Sequence, residues 1–249
     1  MSQRLDSRIA LVTGASSGIG EATAIALAEA GAKVAIAARR KDRLDELAKK
    51  LAKLGADPLV LPADLLDENE AQRIVGDTEA HYGRLDILVN NAGVMYLEPV
   101  ADADLGRWRR MLELNVLSMI ASTQAALRGM RARREGDIVN IASTAGRIAN
   151  PNAAAYSATK FGVVAFSEAL RREVYRDHVR VSVVEPGVVA TELRDHIGDA
   201  AVKDALNAWA DGMRQLQAVD VAEAIRFCVT RPAHVCINEV LMRPTDQDR

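Results

Sequence analysis

Cysteine is nearly absent: Cys228 and Cys236 are the only two in 249 residues, and no CxxC occurs. Two such thiols cannot build a disulfide framework or a paired-cysteine metal site, and they suit a reducing, cytoplasmic compartment. Aromatic residues make up 4% of the chain and the formal net charge is −2, so neither a base-stacking platform nor a basic surface that tracks phosphates is indicated. Nucleic acid is not an expected partner. The densest basic run, Arg128, Arg131, Arg133 and Arg134, falls where a helix should end, and cations there complement the helix dipole. His81, His178, His196 and His234 are scattered with no HExxH or paired spacing, so no metal site is expected. No stretch reaches the 18 apolar residues of a membrane span, and glycines interrupt the short apolar run near the start. Neither a membrane anchor nor a signal peptide is therefore expected.

What is present is apolar material in a regular order. With 49% hydrophobic residues, the chain can fill one α/β core, and a single domain over 1–249 is expected. Short apolar runs alternate with segments of helical period: "IALVTG" then 19–30, "KVAIAAR" then 41–54, "PLVLPAD" then 67–82, "LDILVNNAG" then about 103–131. "GDIVNIAS" then 153–177, "VRVSVVEPG", a helix near 219–230 and "EVLM" complete the series. Seven strands separated by helices predict a doubly wound parallel sheet covered on both faces. Residues 188–218 break the alternation, and their mixed polarity predicts a helical flap over a site.

In such sheets ligands bind beyond the carboxyl ends of the strands, so the loops there carry the chemistry. The first, "TGASSGIGEA", spaces Gly14, Gly18 and Gly20 as GxxxGxG between a strand and a helix. Glycines permit the tight turn, and N–H groups at the helix N-terminus favour a pyrophosphate, as in Rossmann-type dinucleotide sites. At the end of the second strand, Ala38 is followed by Arg39 and Arg40 rather than by the acid that selects NAD. Two guanidinium forks there suit the 2′-phosphate of NADP, although arginines also serve simply to solubilise a strand end. Asp42 fits as the N-cap of the next helix.

"AYSATKFG" sets Tyr156 and Lys160 four positions apart on a predicted helix. Side chains at i and i+4 share a face at about 5–6 Å between Cβ atoms. The Lys160 cation is then expected to stabilise phenolate over phenol and bring Tyr156 toward the working range of a general acid or base. An ordinary surface pair on an amphipathic helix has the same spacing, so the pair needs company.

That company exists. TGxxxGxG, Asp64 after the third apolar run, "NNAG" at 90–93, Asn115, Ser143 thirteen residues before Tyr156, and YxxxK together resemble the short-chain dehydrogenase/reductase family, from about residue 5 to the C-terminus. The resemblance implies that Tyr156 is the acid/base, that Lys160 lowers its pKa and holds the nicotinamide ribose, and that Ser143 binds the substrate oxygen. It implies a water relay supported by Asn115, which also fits a buried structural amide. Ser16, Ser17 and Ile19 would join the glycines at the cofactor, with Asp64 and Leu65 near the adenine, Asn91, Ala92 and Gly93 along it, and Pro186, Gly187 and Thr191 at the nicotinamide amide.

Within the family, "ASSGIGEATA", "AIAARR", "YSATKFGVVAFSE", "TELRDHI" and the ending "RPTDQ" are similar to bacterial NADP-dependent 3-hydroxy acid or serine dehydrogenases and to clavulanate (clavaldehyde) reductase. The ending departs from the "DGG" tail common in acyl-carrier ketoreductases, which lowers the case for a fatty-acid role. The expected activity is reversible, NADP(H)-dependent hydride transfer to a small aldehyde or ketone. A 3-hydroxy acid dehydrogenase is the alternative, and a non-catalytic NADP-binding sensor a lesser one. An epimerase would need a longer C-terminal region. Met95, Tyr96, Thr144, Ala145, Arg147, Leu193, Arg194, His196 and Trp209 are candidates to line the substrate pocket, with Arg147 or Arg194 able to grip a carboxylate in two-pronged fashion. By resemblance a homotetramer, or a homodimer, is expected, paired through the helices near 103–131 and 153–177.

Overall fold

In a computed structural model, which describes residues 4–248, seven parallel strands form one sheet. They are β1 (Ile9–Thr13), β2 (Lys33–Ala38), β3 (Leu59–Pro62), β4 (Ile87–Asn90), β5 (Gly136–Ile141), β6 (Val179–Pro186) and β7 (Glu239–Met242), in the order β3-β2-β1-β4-β5-β6-β7. Side chains alternate along a strand, and here both faces are apolar. On β1, Ala10 and Val12 enter one core while Ile9 and Leu11 enter the other; on β2, Val34 and Ile36 oppose Ala35 and Ala37. The strands are nearly continuous in apolar residues because helices cover each side.

Helices α1 (Gly18–Glu29), α2 (Lys41–Lys53), α3 (Glu68–Tyr82), α5 (Ser118–Arg133), α6 (Ala154–Val174) and α8 (Ala218–Val229) supply that cover, while α4 (Leu105–Leu112) and α7 (Ala200–Asp211) pack in a smaller apolar cluster around Tyr156 and Ile197. Alanine-rich α1 packs on α8, with Leu27 against the cluster that holds Val221 and Ile225. Met130 and Leu170, from α5 and α6, fill the opposite side with Ile74 of α3. The chain order reverses between β1 and β4, which opens the crevice in which such sheets bind ligands. No helix among the described residues is long and apolar enough to cross a membrane.

The long helix expected near 103–131 is interrupted. Between α4 and α5 lies a π-helical stretch, Glu113–Leu117, with Asn115 inside it. One widened turn swings the Asn115 amide inward, where Oδ1 accepts from Val94 N at 2.8 Å and Nδ2 donates to Val94 O at 2.9 Å. The flap is present as a short 3-10 turn, Glu192–His196, followed by α7. Its two ends are pinched together where Ala190 N donates to Leu216 O at 2.9 Å and Leu216 N to Val188 O at 3.0 Å.

Candidate active site

The loops after β1, β2, β3, β4, β5 and β6 meet with the flap around one cavity of about 430 Å³. At one end stands the β1–α1 turn. Gly14 has φ +64°, and a Cβ there would lie 2.9 Å from the Ala92 backbone. Gly20 does not line the cavity; its missing side chain lets α1 approach, since a Cβ would sit 2.3 Å from the Gly14 carbonyl oxygen. The turn is cross-braced by Asn91, whose Nδ2 donates to Thr13 O at 3.0 Å. Ser17, the residue before α1, gives the helix no side-chain cap. The first-turn N–H groups are therefore left for an outside anion. Gly14, Ser16, Ser17, Gly18 and Ile19 border this end, with Ala92 and Gly93 from the loop after β4.

Arg39 and Arg40 stand exposed at the mouth nearby, Asp64 and Leu65 beside them. Among the described residues Arg39 makes no hydrogen bond or ion pair, whereas every guanidinium nitrogen of Arg40 is engaged: Nη2 donates to Ser17 Oγ at 2.7 Å, Nε to Ser16 Oγ at 3.2 Å, and Nη1 to Glu192 at 2.8 Å. A pyrophosphate cradle that continues into a pair of guanidiniums suits a dinucleotide carrying an extra phosphate on its adenosine ribose.

The other end is enclosed. Tyr156 and Lys160, one turn apart on α6, are both buried. Ala145 N donates to Ser143 Oγ at 3.1 Å, which leaves the Ser143 hydrogen free to bond Tyr156. Lys160 Nζ donates to Ile141 O at 2.8 Å and lies 5.7 Å from the centre of the Tyr156 ring. Burial pushes the Tyr156 phenol up to about 12, opposed by the Ser143 hydrogen bond, and burial alone brings the Lys160 amine down to about 8. This corrects the expectation that Lys160 draws the phenol down: both groups are desolvated together, and in the protein alone desolvation outweighs their proximity. At pH 7 Tyr156 is therefore a neutral phenol, a group with a proton to give.

Pro186, Gly187 and Thr191 border the same end, and Met95, Thr144, Ala145, Leu193, Arg194, His196 and Trp209 surround the remaining space. Besides Gly20, three expected residues are elsewhere. Arg147 points away from the cavity, its Nε and Nη2 donating to the two oxygens of fully buried Glu185 at 2.6 and 2.8 Å, with Glu239 close by. Tyr96 is off the cavity, 6.0 Å from the Arg107 guanidinium. Asn115 stands behind the cavity wall and also donates to Thr159 Oγ1 at 3.2 Å, so its amide ties the loop after β4 to α6. Two polar residues that sequence reasoning did not single out do line it: Glu192, and Gln247, whose Oε1 accepts from Val188 N at 2.9 Å. The "RPTDQ" ending was the available signal for Gln247, since a terminal tail that returns to the sheet must dock on something. No cluster of three metal-ligating side chains occurs among the described residues.

A parallel seven-stranded sheet with this cradle, hydroxyl pair and lysine defines a dinucleotide-type α/β enzyme, and comparison names its family. Residues 8–202 match the short chain dehydrogenase family model, so the chain belongs to that family of oxidoreductases. It is 38% identical, over 98% of its length, to a glycine betaine reductase of Emericella nidulans, of which it spans 19%. It is 34% identical over 96% of its length to an uncharacterized oxidoreductase of Staphylococcus saprophyticus, covering 97% of that protein. Among solved structures, a closed form of serine dehydrogenase complexed with NADP+ superposes with a TM-score of 0.89 at 35% identity, over 97% of this chain and 96% of the other. An alcohol dehydrogenase from the archaeon Thermococcus sibiricus, complexed with 5-hydroxy-NADP, gives a TM-score of 0.85 at 26% identity, over 97% and 98%.

Proposed function

We propose that the protein is an NADP-dependent oxidoreductase that moves hydride reversibly between the nicotinamide and a small aldehyde or ketone, with Tyr156 as the acid/base. The observation that carries this reading is the pairing of half-buried Ser143 with buried Tyr156 on the same cavity as the uncapped start of α1 and the Arg39–Arg40 pair. NADP on a serine dehydrogenase and on an archaeal alcohol dehydrogenase of like fold supports the choice of cofactor.

The bound cofactor would supply the hydride. As a carbonyl gains it, negative charge builds on the oxygen, and Ser143 and Tyr156 both offer a hydrogen to that atom. The Tyr156 proton passes to the oxygen to complete the alcohol, leaving a phenolate. Ser143 then returns its hydrogen bond to that phenolate, and the ammonium of Lys160 lies on the same helix face. Ile141 O holds Lys160 in place. Asn115 serves as a positioning residue, fixing Val94 at the cavity wall.

A 3-hydroxy acid substrate is the second reading, and Arg194 favours it. Its Nη2 donates to Gln215 at 3.0 Å, while its buried Nη1 makes no hydrogen bond among the described residues and has only the exposed Asp211 carboxylate, 3.8 Å away, as an ion-pair partner. A carboxylate would complete that guanidinium. Assembly into a homotetramer fits the exposed Leu112, Leu117 and Phe161, which lie on α4, the π-helical stretch and α6.

Loss of NADPH absorbance across a panel of aldehydes, ketones and β-keto acids, with NADH as control, tests the function. Turnover with NADPH on at least one carbonyl is expected. Tight NADPH binding with no turnover on any of them would point instead to a sensor.

A further inference from the structure

The anion site at the cavity mouth already holds an anion of the protein's own. Glu192 opens the 3-10 turn of the flap just beyond its pinched neck, and its carboxylate accepts from Arg40 at 2.8 Å and from Arg43 at 3.3 Å. Ser17 also bonds it, and these donors together, Arg40 foremost, hold the carboxyl below its ordinary range. Ahead of it, Thr191 packs on the glycine turn: a Cβ on Gly18 would come within 3.0 Å of the Thr191 methyl. One carboxylate thus joins the flap to the arginine beside the first phosphate loop, across 152 residues of sequence.

Building on the NADP reading above, we propose that Glu192 is a specificity-determining residue that competes with the adenosine 2′-phosphate for Arg40 and Arg43, and so couples release of the flap neck to that phosphate. Arg40 has three guanidinium nitrogens, and Ser16, Ser17 and Glu192 engage all of them. A phosphate with nearly two charges cannot share the guanidinium with a carboxylate a few ångströms away without repulsion. Free Arg39 gives the phosphate its first hold, and Glu192 yields Arg40 as the second. A cofactor without the 2′-phosphate leaves Glu192 where it is. The exposed setting, with both Arg40 and Glu192 side chains 42% accessible, keeps the competition reversible and sensitive to salt.

Calorimetric titration with 2′,5′-ADP and with 5′-ADP tests this without turnover, on the wild type and on Glu192→Gln, a swap at an exposed site that keeps the shape of the side chain. The variant is expected to bind 2′,5′-ADP about three- to tenfold more tightly, the scale of one screened like-charge repulsion, and 5′-ADP within about twofold of wild type. The gain should shrink as salt is raised. Unchanged or weaker 2′,5′-ADP binding by Glu192→Gln, with wild type still preferring the 2′-phosphate, would overturn the competition and leave the cofactor reading intact. If neither protein distinguishes the two nucleotides, the cofactor reading fails and this inference with it. A preference that emerges only in the variant would uphold the competition.

Discussion

Replacing Arg147 should damage stability and spare catalysis, and the size of the effect follows from its partner. Glu185 lies near the carboxyl end of β6, one strand in from the sheet edge, with no exposed surface, and both of its carboxylate oxygens accept from Arg147. Removing one partner of a buried ion pair typically costs about 3–5 kcal/mol, because the other charge is left without compensation. The Arg147 side chain is 35% exposed, so water can enter behind it, and about 2–3 kcal/mol is the better expectation for Arg147→Met. At about 2–4 °C per kcal/mol for a chain of this size, melting should fall by roughly 4–12 °C. KM for acidic and neutral substrates should stay within about threefold, since the guanidinium faces away from the cavity. Combining Arg147→Met with Glu185→Gln removes the stranded charge and should restore at least half of the loss. Differential scanning calorimetry of the four proteins, paired with steady-state kinetics, reads both effects. An unchanged melting temperature together with a KM raised only for acids would refute the argument and return Arg147 to the substrate.

Tyr156→Phe removes the proton donor and leaves the ring, so turnover should drop by about a hundredfold or more while NADPH binding, followed by fluorescence, stays within about twofold. Arg194→Gln should raise KM for β-keto acids about tenfold or more and leave neutral aldehydes unaffected; equal effects on both would exclude carboxylate recognition. Burial sets the folded value of Lys160 at about 8 against an ordinary 10.5, so the unfolded chain binds more protons between those values and wild-type stability gains from this group as pH rises from about 8 toward 10.5. Tyr156 acts oppositely: its folded value of about 12 lies above the ordinary 10, and its contribution is lost as pH rises through that window. Denaturant midpoints should therefore show Lys160→Met gaining on wild type at pH 7 and losing that advantage by about pH 10, and a constant difference between the two would refute the buried-ammonium assignment.

Much of the fold was legible because its determinants are local. Each strand is a short apolar run bounded by turn residues, and the two-sided burial of Ala10 and Val12 against Ile9 and Leu11 is why those runs are continuous rather than alternating. The break in the long helix was not legible, because its cause lies 21 residues back: Asn115 finds Val94 only once the β4 loop is in place, and nothing within 103–131 announces the extra turn. The arginines divide in the same way. Arg39 and Arg40 could be placed at the mouth from their position after β2, but what Arg40 touches is decided by Glu192, and what Arg147 touches by Glu185.

Ionisation was the least legible property, and the Tyr156–Lys160 pair shows why. Their i, i+4 spacing is written in the sequence, and it does set the ammonium 5.7 Å from the ring. Whether that proximity lowers a pKa depends on the medium between the groups, and the medium is assembled from Ser143, Ile141 and the flap, none of them on α6. Where both groups are buried the charged form of each is penalised, so the phenol keeps its proton and the amine holds its own less tightly. Glu192 and Arg40 are the converse, a pair joined across the fold yet left in water, where spacing and charge still decide the outcome. The two ends of one cavity thus obey different electrostatics: solvent and salt tune the Glu192–Arg40 pair at the mouth, and desolvation keeps the proton on Tyr156 at the floor.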